Sequence, residues 1–194
     1  MPITPPTGDA HDFDFLMGPW RIRNTRLVQR LAGCTDWETF DAADTARPLS
    51  GGIGNCDDFI PESWNAGYVG MALRLFNPQA RRWSIYWLDN VTGGLDTATG
   101  LLKPPVVGGF AGTDQGLFVG DDIFEGRPVC VQFRWSKNLE THAPRWEQAF
   151  SDDGGQTWET NWTMEFSRPP RLNHWHAGRV SAPSASPRPA SPCP

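Results

Sequence analysis

The sequence predicts an all-β protein: a closed antiparallel barrel of about 8–10 strands, followed by a disordered C-terminal tail. Three observations predict it. Twenty Gly and 18 Pro in 194 residues favour short strands joined by turns, and no stretch carries the apolar period of an amphipathic helix. Strand-like runs alternate with turn signals at about ten residues per strand, the spacing of a meander. The last run alternates apolar and polar residues as a wall with one buried face requires.

In chain order, residues 1–11 form a Pro-rich leader, 12–169 the barrel domain and 170–194 a Pro/Ser/Ala/Arg tail with little to bury. A chain of 194 residues suits one domain plus such ends. Strands are expected near 19–31, 36–45, 49–59, 67–76, 82–89, 94–99, 106–111, 115–124, 128–136, 144–151 and 157–167, with one or two of these runs merging. Turns fall at Asn77-Pro78, Asp89-Asn90, Thr92-Gly93-Gly94, Glu125-Gly126 and Asp153-Gly154-Gly155. Closing the meander removes its exposed edges. The short segment 12–17 is expected to cap one end.

Side-chain parity maps inside and outside. Trp20, Ile22, Asn24, Arg26 and Val28 share one face of the first strand. Trp158, Thr160, Trp162, Met164, Phe166 and Arg168 share one face of the last, opposite Glu159, Asn161, Thr163, Glu165 and Ser167. This parity puts Arg168 on the Trp20 side of the wall, where a guanidinium on an indole is favourable. Val129, Val131, Phe133 and Trp135 form one apolar face, and Trp146, Gln148 and Phe150 another. The run Trp83–Asp89 is apolar on both faces, so parity does not orient it.

The segments Phe13-Asp14-Phe15-Leu16-Met17-Gly18-Pro19-Trp20, Trp83–Asn90 and Arg145–Gly155 resemble an uncharacterised bacterial family of lipocalin-like (calycin) barrels with a Phe-Asp-Phe-Leu-x-Gly-x-Trp start. The resemblance covers roughly 12–168 and implies the barrel fold. It also implies that Trp20 and Arg168, which match the lipocalin closure motif, seal one end. It brings no catalytic residues with it.

Charge and cysteine usage narrow the function classes. The formal charge is −5, and the four arginines after Glu165 carry +4 of it, leaving the body at −9. So acidic a body argues against nucleic acid as a partner. The sparse basic tail is no membrane anchor. Cys34, Cys56, Cys130 and Cys193 are widely spaced and form no zinc pattern. The start Met1-Pro2-Ile3-Thr4-Pro5-Pro6 is neither a signal peptide nor a span, so a cytoplasmic protein with reduced thiols is expected.

Several motifs read better as structure than as chemistry. Ser151-Asp152-Asp153-Gly154-Gly155-Gln156-Thr157-Trp158 fits an Asp-box, but it occurs once; a hairpin turn with Asp153 accepting turn amides is expected. Leu49-Ser50-Gly51-Gly52-Ile53-Gly54-Asn55 is glycine-rich with no helix following, so it is expected to be a kinked strand. His174-Trp175-His176 lacks a third ligand, and no metal or cofactor is expected. Asp57-Asp58, Asp121-Asp122 and Asp152-Asp153 point to opposite faces in pairs, and read as turn and surface charges.

The candidate site residues are those that parity and composition place inside: Asn24, Arg26, Arg74, Trp87, Asp89, Gln148 and Trp162. Polar groups among tryptophans form either a structural network or a ligand-orienting set. The expected function is binding of a small, largely apolar or aromatic molecule inside the barrel. The alternatives are a calycin-type cyclase, isomerase or lyase, with Arg26 and Asp89 as polarising and proton-transfer groups, and a carbohydrate or protein interaction module using exposed Trp. No nucleic acid or membrane partner is expected; a second copy of the chain, making a homodimer, is a candidate.

Overall fold

The computed structural model describes residues 4–170. Ten strands follow one another: β1 (Gly18–Leu27), β2 (Trp37–Pro48), β3 (Gly54–Pro61), β4 (Gly70–Asn77), β5 (Arg82–Asp89), β6 (Val106–Gly109), β7 (Gln115–Phe124), β8 (Arg127–Ser136), β9 (Arg145–Ser151) and β10 (Glu159–Ser167). Each pairs antiparallel with its sequence neighbours, and β1 also pairs with β10, closing the sheet into a barrel. The closing ladder sets Arg21 opposite Ser167 and Arg26 opposite Trp162. No strand edge is left to pair with another chain.

Odd-numbered strands all start at one end of the barrel and even-numbered strands return to it. The segment before β1 closes that end. Gly8 N–H donates to the Arg81 carbonyl at 2.7 Å and Ala111 N–H to the Thr7 carbonyl at 2.8 Å. The Trp83 indole N–H reaches the Asp9 carbonyl at 2.9 Å. The leader therefore belongs to the seal from Pro5 onward, where the Arg82 Nε donates to the Pro5 carbonyl. Gly109 permits this approach, since a Cβ there would stand 2.5 Å from the Thr7 carbonyl. One 3-10 turn, Asp14–Leu16, follows, as the capping expectation for 12–17 requires. Phe13, 1% exposed, plugs the barrel with its ring edge-on to Trp83, Phe110 and Trp135.

Four expectations need correction. The 94–99 run is a turn-rich loop held by one bridge between Leu95 and Leu102; Gly93 and Gly94 have positive φ, and Asp96 caps the Ala98 and Thr99 amides. The glycine-rich run is no kinked strand. Ser50–Gly52 forms a 3-10 turn with φ of +71° at Gly51 and +70° at Gly52, joining β2 to β3. β1 ends at Leu27, so Val28 leaves the inner face and is 55% exposed. Finally, a bulge between Thr160 and Trp162 breaks the phase of β10. Trp162 and Met164 keep the inward face, but Asn161 is fully buried, Thr160 is exposed, and Trp158 lies before the strand.

The Asp153 turn has the expected form: its carboxylate accepts the Gln156 and Thr157 amides, Gly155 has φ of +86°, and the Trp158 indole donates to the Gly155 carbonyl at 3.1 Å. The tail from residue 171, with His174, His176 and Cys193, lies outside the described residues. Cys34, Cys56 and Cys130 are free thiols. Among the described residues no helix is long and apolar enough to cross a membrane.

Candidate functional site

Aromatic side chains fill the sealed half of the barrel. The other half encloses a cavity of about 380 Å³, within the size range of small-molecule pockets. Its wall is largely apolar, and Trp64, Trp87, Trp135, Trp146 and Trp162 line it. A second hollow of about 410 Å³ lies between the 90–105 loop and Asp121, Cys130 and Asp152. That one is more open to solvent and contains none of the buried unpaired polar atoms, so the inner cavity is the stronger site.

At the mouth, Arg26 from β1 donates to Glu38 on β2 at 2.8 Å. Its guanidinium lies 4.9 Å from the centre of the Trp64 ring and 5.6 Å from that of Trp162. Glu38 also accepts the Trp64 indole N–H at 3.1 Å, so the acid fixes both partners. Arg26 Nε is buried without a partner. Trp87, on β5, donates to the Tyr68 hydroxyl at 3.2 Å. Burial pushes the Tyr68 hydroxyl above its ordinary pKa. Trp87 fits because Gly70 faces it; a Cβ on Gly70 would collide with the indole ring. Asp89 lines the mouth as well, but its Oδ1 accepts the Val91 and Thr92 amides and so is committed to a turn.

At the waist the polar residues pair with one another, although the Asn161 Nδ2 is buried without a partner. Asn24, fully buried, accepts the Trp162 indole N–H at 3.0 Å and does not line the cavity. Gln148 lines the cavity, and its amide donates to the bulge residue Asn161 at 2.8 Å. The bulge thus supplies a partner that regular pairing would have turned outward.

On the cavity floor Arg74, from β4, pairs with Asp57 on β3 at 2.5 Å and donates to Asn55 at 3.1 Å. The other Asp57 oxygen accepts the Ala72 amide at 2.8 Å. Asp57 is therefore not a surface charge, which corrects the reading of Asp57-Asp58; only Asp58 faces outward, where it pairs with Arg47 at 2.6 Å. Beside this pair sits Asp44, from β2. It is 4% exposed, lines the cavity, and its Oδ1 has no hydrogen-bond partner. Burial, then the Asp57 charge, push its pKa up to about 8, against the pull of Arg74. Burial and the Asp57 charge thus favour the protonated form of Asp44, which faces the cavity.

Of the seven residues singled out from sequence, six line this cavity and Asn24 lies behind Trp162. Sequence reasoning missed Asp44, Asp57 and Arg30. The alternation Phe40, Ala42, Asp44, Ala46 along β2, all buried, is the signal that would have placed Asp44 inside. Among the described residues, no group of three or more His, Cys, Asp or Glu is arranged to hold a metal ion. No family model matches the chain, and no curated protein matches it.

Proposed function

We propose that this protein binds a small, largely apolar or aromatic molecule inside its barrel. One observation carries the reading: a cavity of about 380 Å³ with five tryptophans in its wall lies under the open end, while the other end is plugged. A pocket of that size and composition, with a few fixed polar anchors, suits a drug-sized apolar ligand. Leaving so much aromatic surface around empty space costs packing contacts that a ligand restores. The test is mass spectrometry of the intact protein under non-denaturing conditions. A discrete mass adduct lost on denaturation supports the reading; only the bare chain, even after incubation with apolar compounds, counts against it.

A second reading has its own observation. Asp44 is a buried acid in the cavity with an unpaired oxygen and a raised pKa, the features a general acid needs. A calycin-type cyclase, isomerase or lyase acting on a small hydrophobic substrate would use Asp44 to protonate it, rather than Asp89. Turnover of a candidate substrate that survives in Asp89→Asn and is lost in Asp44→Asn supports this reading; turnover by both variants excludes it. The interaction-module alternative has the weakest support, because among the described tryptophans only Trp37, at 44%, is well exposed.

A further inference from the structure

We infer that the cavity mouth is an anion subsite, and that the ligand is an organic acid whose carboxylate sits between Arg26 and Arg30 while its apolar body fills the barrel. The inference rests on the ligand-binding reading above and adds the chemical class of the ligand.

Arg30 lies in the loop after β1, four positions beyond Arg26, and both line the cavity. The Arg30 guanidinium is 4.8 Å from the centre of the Phe124 ring and 5.7 Å from that of Phe150. The guanidinium is held near these two rings, and among the described residues Arg30 makes no ion pair. Arg26 spends one nitrogen on Glu38, and its Nε stays buried and unpaired. Two guanidinium groups thus line one aromatic cavity, Arg26 paired with Glu38 and Arg30 with no ion pair among the described residues. They also repel: burial, then the Arg26 charge, lower the Arg30 pKa to about 10.

Glu125, Glu159 and Glu38 temper the charge of Arg30, in that order, and Asp89, Asp121 and Asp122 line the same cavity. Glu38 is taken by Arg26 and Trp64. Glu159 accepts the Leu31 amide at 2.8 Å. Glu125 is exposed on the β7–β8 hairpin. An incoming carboxylate would accept from both guanidinium groups, relieve the repulsion, and do so at a low-dielectric edge where charge-assisted hydrogen bonds are strong. A single charge fits better than a phosphate dianion, because residues 4–170 carry a net charge of −8 (14 Lys and Arg against 22 Asp and Glu).

Isothermal titration calorimetry with 2-naphthoate and 2-naphthamide tests this, since the two share a ring system and differ in charge. Wild type should bind the acid about tenfold more tightly than the amide, the worth of one charge-assisted hydrogen bond. Arg30→Met should remove most of the acid's preference, weakening the acid about tenfold and the amide far less; Arg30→Lys should keep part of the preference. Circular dichroism checks that the variants fold. Equal affinities in wild type, or equal loss of both ligands in Arg30→Met, would overturn the anion subsite and leave the cavity reading standing. If neither compound binds a folded wild-type protein, the cavity reading fails and the subsite with it.

Discussion

Arg168 lies on the face of Trp20, with its guanidinium carbon 3.4 Å from the ring centroid. The same guanidinium donates to the Pro19 carbonyl at 3.1 Å and the Phe15 carbonyl at 3.3 Å. The Trp20 indole N–H donates to the Leu16 carbonyl. Together the two side chains bind the end of β10, the start of β1 and the 3-10 turn into one seal. That seal is what makes the cavity blind at one end and gives the barrel a single mouth.

Trp20→Ala should destabilise the protein by about 3–5 kcal/mol, the usual loss for a buried tryptophan. Arg168→Ala should cost less, since the arginine is largely exposed and only its stacking and two hydrogen bonds are lost. A double-mutant cycle by urea denaturation should give a coupling of about 0.5–2 kcal/mol. Additive effects would mean that the contact carries no energy.

The floor pair makes a different demand. Asp57 and Arg74 are each about 5% exposed at the side chain, so each removes the other's uncompensated charge. Arg74→Met should cost about 3–5 kcal/mol, because it strands Asp57 in the barrel. Adding Asp57→Asn to Arg74→Met should recover part of that loss. If the double variant is no more stable than Arg74→Met, the penalty lies in packing against Phe13 and Trp135 and not in the stranded charge.

Asp44 predicts a pH dependence with a definite sign. Its folded pKa of about 8 lies above the ordinary value of 3.8, so the folded state binds the extra proton. The stability this contributes is complete below the ordinary value and is lost as pH rises toward about 8. Urea midpoints measured from acid to mildly alkaline pH should therefore fall more steeply for wild type than for Asp44→Asn. Parallel profiles would show that Asp44 is ionised in the fold.

The fold was legible because it depends on repeated local signals. Trp20, Ile22 and Asn24 against Arg21 and Arg23 place one wall of the barrel, and turn chemistry at Asp153–Gly155 places a hairpin. The site was less legible because it depends on pairing between strands. Asp57 reads as half of an acidic doublet until Arg74 is known to stand across the ladder from Asn55. Asn161 reads as an outward residue until the bulge turns it to Gln148. Arg30 lies beyond the end of β1, where strand parity no longer applies, and only the closed barrel brings it over Phe124 and Phe150.

The central claim, that the barrel interior is a binding site, is tested most directly by titrating a neutral apolar fluorophore, 1-aminoanthracene, into wild type and into Val131→Trp. Val131 lines the cavity and is 5% exposed, so an indole there occupies the space the ligand needs. Wild type should bind saturably at about one probe per chain, with quenching of tryptophan emission by the probe seated among the wall indoles. Val131→Trp, still folded by circular dichroism, should lose that binding. Unsaturable binding in wild type, or equal binding in the filled variant, would place the probe outside the barrel and contradict the claim.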